Sequence, residues 1–208
     1  MTEDPRAAPW NERYRTDEYI FGEAPNRFLE SQAALLKPGA KALAVADGEG
    51  RNGVFLARQG LDVLSVDFSP VALQKLQKLA WRAGVRIASE EAELLTWDWG
   101  EARFDVIVAI FIQFGPADRE IFFRKLKDAL QPDGIAILEA YTPNQVQYRT
   151  GGPPMLDHLY TGEMLRQIFA GYDILHLEEH EAEMREGTRH RGRSALVDLV
   201  ARKPAATH

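Results

Sequence analysis

The chain has 208 residues, of which 45% are hydrophobic and 27% charged, enough for one domain with a substantial core. A net charge of −6 argues against non-specific binding to nucleic-acid phosphates. The absence of cysteine excludes disulfides, thiolate nucleophiles and cysteine-ligated metals.

Residues 1–9 and 204–208 read as disordered tails. Residues 10–36 hold Tyr14, Tyr19, Phe21 and Gly22, then a helical pattern over 25–36. A first strand is expected at 41–46 and a helix at 51–59, closed by Gly60. A second strand covers 62–66. Ser69 then caps a helix with Pro70 at its first position and Leu73, Leu76, Leu79 and Ala80 on one face. A short strand is placed at 85–88. Residues 104–111 form a continuous apolar strand of the kind buried on both faces. A helix at 117–130, a turn at Pro132-Asp133-Gly134 and a strand at 135–140 follow. Residues 172–179 and 195–201 read as two more strands. The polar stretch 181–193 between them lacks a helical pattern, so the two should pair antiparallel. The expected fold is α/β: a doubly wound, Rossmann-like, seven-stranded and mostly parallel sheet with an antiparallel strand near one edge, in a single domain over 1–208.

The turn after the first strand reads Ala46-Asp47-Gly48-Glu49-Gly50-Arg51-Asn52-Gly53. Glycines between a strand and a helix let the backbone approach a ligand, and the helix N-terminus offers free N–H groups to an anion. Asp67 lies 17 residues beyond Gly50, where a carboxylate can accept both ribose hydroxyls of an adenosine. NAD and S-adenosylmethionine (SAM) sites share these features. The absence of a Tyr-x-x-x-Lys pair and the antiparallel end of the sheet favour SAM.

In these segments, and in Phe104-Asp105-Val106-Ile107 and Leu130-Gln131-Pro132-Asp133-Gly134, the chain resembles class I SAM-dependent methyltransferases, near the tellurite-resistance and thiopurine methyltransferase-like branch. Ala44 stands where that family carries an acid, and Ala46 where it carries the first glycine; Asp47 is a partial substitute. The resemblance implies SAM as cofactor. It places Ala46, Asp47, Gly48, Gly50 and Asn52 at the glycine turn, and Asp67 and Phe68 at the ribose and adenine. Glu93, in competition with Asp98, and Leu94 fall at the adenine amino group, and Ala109 and Ile110 at the methionine side. It makes 10–36, with Tyr19 and Gly22, a lid. Substrate contacts are expected from Phe111, Tyr141, Arg149 and His158, the last three on or beside a Pro- and Gly-rich loop.

No catalytic residue is assigned, because the sulfonium is already activated and alignment supplies much of the rate. A soft anionic acceptor would suit a site without a base. His190 reads as a solvated loop histidine near the mouth. His176-Leu177-Glu178-Glu179-His180 matches a zinc-protease string, but a strand spreads these residues over about 13 Å, too far for one ion, so no metal is expected.

The expected activity is methyl transfer from SAM to a small molecule. An NAD-dependent oxidoreductase and a non-catalytic SAM-binding protein are the alternatives. The apolar run 106–112 is too short to span a bilayer, and no secretion signal opens the chain. A cytoplasmic monomer or homodimer without nucleic-acid or membrane partners is therefore expected.

Overall fold

The computed structural model describes residues 7–206. Seven strands form one sheet in the order β3-β2-β1-β4-β5-β7-β6. β1 (Lys41–Val45), β2 (Asp62–Asp67), β3 (Ala88–Glu91), β4 (Phe104–Ile110) and β5 (Leu130–Tyr141) run parallel. β7 (His190–Arg202) is antiparallel to both β5 and β6 (Asp173–Glu186). The order turns back on itself between β1 and β4, which opens a crevice at the strand C-termini, where ligands bind in doubly wound sheets.

The alternation of side chains along each strand splits the core into two layers. On one face Ala42, Ala44, Val106, Val108, Ile137 and Val200 meet α2 (Arg27–Ser31), α3 (Arg51–Arg58) and α4 (Pro70–Arg82). On the other, Leu43, Val45, Ile107, Leu138 and Leu199 meet α5 (Pro116–Ala129) and α6 (Gly162–Ile168). Ser69 Oγ accepts from Ala72 N at 3.1 Å, as its N-cap position requires.

Five expectations change. Residues 7–9 are no tail: Ala7 is buried and α1 (Ala8–Tyr14) begins at Ala8, while 1–6 and 207–208 fall outside the described residues. The helix expected at 25–36 is only one short helix and a 3-10 turn (Ala33–Leu35), with Asn26 capping α2 through Leu29 N. The third strand begins three residues later than expected, set by pairing with Leu64–Asp67 and not by its own apolar content. Pro132-Asp133-Gly134 is a bulge inside β5, with Asp133 at φ 63°. Residues 181–193 are no loop: β6 and β7 continue pairing to Glu186↔His190.

Candidate functional site

A cleft of about 630 Å³ opens at the C-terminal ends of the parallel strands, within the usual size range for small-molecule sites. One end is walled by Ala46, Asp67, Phe68, Ala92, Glu93 and Leu94. The other is walled by Phe111, Phe114, Tyr141, Gly151, Gly152 and His190. Trp10, Arg13, Ile20 and Phe21 of the N-terminal segment roof both.

Asp67 ends β2 with its carboxylate buried. Gly48 N donates to Oδ2 and Ser69 N to Oδ1, each at 2.9 Å. Burial pushes its pKa up to about 6, against the pull of those N–H groups. Asp67 lines the cleft, and a carboxylate has capacity for further donors beyond these N–H groups. Phe68, Leu94 and Ala92 add apolar walls beside it. Glu93 lines the cleft, whereas Asp98 is exposed and accepts from Gly100 N at 2.9 Å. A buried carboxylate at the strand end, apolar walls and a second carboxylate make an acceptor set that fits an adenosine.

The glycine turn lies one layer deeper. Gly48 has φ 57°, and a Cβ there would come within 2.8 Å of the Tyr14 hydroxyl, so the turn packs under the lid. Gly50 packs on Leu76. Asp47 faces inward: its carboxylate accepts from Ser65 Oγ at 2.9 Å and from Gly53 N, and burial raises its pKa to about 7. Asn52 Oδ1 accepts from Asn26 N at 2.9 Å. Ala109 and Ile110 are core residues, and the cleft begins at the next residue, Phe111. Ala46 and Phe111 both hold positive φ, 48° and 57°, a strained backbone at two points of the cleft wall.

Four further residues stand elsewhere than expected. Tyr19 donates its hydroxyl to Lys75 O at 2.9 Å and lies on α4, outside the cleft. Gly22 abuts Gly187 of the β6–β7 turn. Arg149 is exposed, and His158 packs beside Gly115 behind the wall.

The N-terminal segment is fastened by Lys75. Its buried ammonium donates to Thr16 O at 2.8 Å and Glu18 O at 2.6 Å and pairs with Glu49 of the glycine turn. Lysine at this point of α4 gave no signal as a lid anchor in sequence, since its partners are backbone carbonyls 57 and 59 residues away.

At the far end of the cleft, His190 is buried against Phe21, Phe111 and Tyr141, with ring centroids at 4.5, 4.7 and 5.9 Å. Its solvated-loop reading is corrected, because strand pairing carries it into the wall. Behind it Glu186 pairs with Arg51 at 2.7 Å. Asn26 Nδ2 joins Glu186 to Glu139 at 3.3 and 2.6 Å, and Glu139 faces Asp198 across β5–β7.

Glu139, Asp198 and His180 place ligand atoms within 4.8 Å of one another, the only such donor group of three among the described residues. Burial and the facing carboxyl push Glu139 up, and burial pushes Asp198 up, which favours a proton between them. His180 Nε2 lies 2.8 Å from Asp198 Oδ2, while His176 packs on Phe28. The protease-like string therefore lies along β6 with its two imidazoles on different partners.

Strand order and crevice are those of the Rossmann-like fold that methyltransferases share. Residues 42–134 match the family model described as a methyltransferase domain. Over 116 residues the chain is 35% identical to the ubiquinone biosynthesis O-methyltransferase of Azorhizobium caulinodans, which covers 54% of this chain and 45% of that protein. The chain spans about half the length of the curated relatives it matches. Among solved structures, TehB from Haemophilus influenzae superposes with a TM-score of 0.71 at 18% identity, over 95% of this chain and 67% of that one. The structure reported for conversion of a disulfide bond into a thioacetal group during echinomycin biosynthesis gives 0.78 at 18%, over 97% and 94%. Both show the fold. Among the described residues no helix is long and apolar enough to cross a membrane.

Proposed function

We propose that this chain transfers a methyl group from SAM to a small-molecule acceptor, within the tellurite-resistance and thiopurine methyltransferase-like branch. The observation that carries the reading is the continuity of one cleft, with Asp67, Phe68 and Glu93 at one end and Phe111, Tyr141 and His190 at the other. Asp67 takes the ribose hydroxyls, Phe68 and Leu94 flank the adenine, and Glu93 accepts from its amino group. Arg13, which lines the cleft from the N-terminal segment, meets the carboxylate of the methionine tail.

The cofactor supplies an electrophilic methyl carbon. The chain's own part is to align the acceptor with it and to exclude water, and both ends of the cleft share the roof of Trp10, Ile20 and Phe21 that does so. The net charge of −6 and the cleft's size favour a small acceptor over a nucleic acid.

Calorimetry decides. SAM and its product S-adenosylhomocysteine should bind and NADH should not. Asp67→Ala should weaken SAM at least tenfold with the thermal transition retained, since each lost hydrogen bond to a charged group is worth about 1.5–3 kcal/mol. Binding of NADH alone, or unchanged affinity in Asp67→Ala, overturns the assignment. A second reading, SAM binding without turnover, draws on Ala46 at positive φ and on Tyr14 seated over Gly48. It requires tight binding and no S-adenosylhomocysteine released across a broad acceptor panel.

A further inference from the structure

We propose that His190, oriented by Glu186, is the general base of the acceptor end of the cleft, and that the acceptor is a small flat molecule bearing a protonated, phenol-like hydroxyl. This rests on the methyl-transfer reading above.

The geometry is directional. His190 Nδ1 is buried, without a hydrogen bond, 3.6 Å from Glu186 Oε2. That gap is slightly long for a hydrogen bond, and such contacts commonly tighten when substrate binds. Glu186 is itself fixed by Arg51 Nη2 at 2.7 Å and by Asn26 Nδ2 at 3.3 Å. A carboxylate behind Nδ1 keeps the proton on that nitrogen, which leaves Nε2 as the proton acceptor of a ring that lines the cleft.

The charges facing the ring agree with this role. Burial, with Arg51 nearby, holds His190 below its usual pKa, so it is neutral at pH 7 and able to accept a proton. Burial pushes Glu186 up, but His190 and Arg51 outweigh it and keep the carboxyl ionised. Tyr141, the remaining titratable group against the ring, is raised well out of the neutral range by burial and by Glu139 and Glu186, so it holds its proton. A carboxylate ready to face an imidazolium is the arrangement that lets a histidine take a proton in a closed site.

The walls name the acceptor's shape. Phe111 stacks on Tyr141 at 4.8 Å, Phe21 faces the same imidazole, and Gly151 and Gly152 bring bare backbone to the opening. Flat apolar faces around one base suit a ring with a hydroxyl on its edge. An acceptor already anionic at neutral pH has no use for the base. In the step, the acceptor oxygen bonds to the methyl carbon and the carbon–sulfur pair goes to sulfur. The hydroxyl proton passes to Nε2 and from there to water.

The test has two arms. Nitrogen NMR of wild-type protein loaded with S-adenosylhomocysteine should show His190 as the Nδ1–H tautomer, neutral at pH 7, with Glu186→Gln shifting its titration downward. The Nε2–H tautomer, or no response to Glu186→Gln, overturns the dyad. In the kinetic arm, catechol, 4-nitrophenol and 4-hydroxybenzoate are offered with SAM beside 5-thio-2-nitrobenzoate, a thiolate at pH 7. At least one phenol should be methylated. His190→Gln should then lose about 100-fold or more in kcat and the acid limb of the pH–rate profile, with SAM affinity within twofold of wild type. Methylation of the thiolate alone, or a phenol rate untouched by His190→Gln, overturns the acceptor class. Loss of SAM binding by wild-type protein sinks the parent reading instead, so the two failures are distinguishable.

Discussion

At Asp47 a residue chosen for the cofactor proves to be part of the scaffold. The string Ala46-Asp47-Gly48 places an acid beside the turn, but not which way its side chain points; that is settled by Ser65 on β2 and by Gly53 N on α3. Asp67 was readable from its place at the end of β2, and Glu93 only through the family resemblance. The inward turn of Asp47 has a measurable cost. Its pKa of about 7 means the folded protein binds a proton that the unfolded chain, near the ordinary carboxylate value, has lost. Stability therefore falls as pH rises from about 4 to about 7 and the deficit persists above that. Asp47→Asn keeps a carbonyl for Gly53 N, and the Ser65 hydroxyl can turn to accept from the amide. Asp47→Asn should raise the melting temperature at pH 8, with the gain vanishing near pH 4. A variant equally or less stable than wild type at pH 8 would show that the carboxylate is held without penalty.

Among the elements, the long, strongly patterned ones were legible and the short ones were not. α4 announced itself through Ser69, Pro70 and four apolar residues on one face. α1 and α6 have seven residues each, too few for a periodic signal, and their helicity comes from docking. The outer half of the β6–β7 hairpin was hidden because one of its faces is solvated, so its polar composition resembled a loop. Its tip matters to the lid. A Cβ on Gly187 would collide with the Ile20 carbonyl, and Thr188 N donates to that carbonyl at 2.9 Å. The segment over the cleft is thus clamped between the hairpin tip and Lys75. Lys75→Met removes the donor to Thr16 O and Glu18 O and strands the buried Glu49. Breaking a buried pair on one side costs about 3–5 kcal/mol. Residues 14–21 should then exchange their amide hydrogens much faster than in wild type, and the melting temperature should fall by roughly 6 °C or more. Unchanged exchange in that segment would mean the hairpin tip alone holds the lid.

Across the whole molecule, one buried polar chain ties together parts that the sequence gives no reason to join. Arg51 of α3, Glu186 of β6, Asn26 at the cap of α2, Glu139 of β5 and Asp198 of β7 lie in series, linking the N-terminal segment, the sheet and the hairpin behind the cleft. The separations, 113 residues from Asn26 to Glu139 and 135 from Arg51 to Glu186, explain why no local pattern exposed it. Three carboxyls share this interior with one guanidinium, and the upward push on Glu139 and Asp198 favours a proton there, which brings the charge nearer balance. Arg51 is the fixed cation of the set, since guanidinium does not deprotonate in proteins. Removing it in Arg51→Met should convert Glu186 from a carboxyl held low to one pushed high by burial. The folded variant would then bind a proton near neutral pH that wild type does not, so its stability must fall more steeply as pH rises. Urea midpoints at pH 5.5 and 8.5 test this. The deficit of Arg51→Met against wild type should be small at pH 5.5, where the carboxyls can take up protons, and should grow at pH 8.5 toward the roughly 3–5 kcal/mol of an unpaired buried charge. A deficit independent of pH would show that Arg51 acts through packing and that the buried chain does not work as one electrostatic unit.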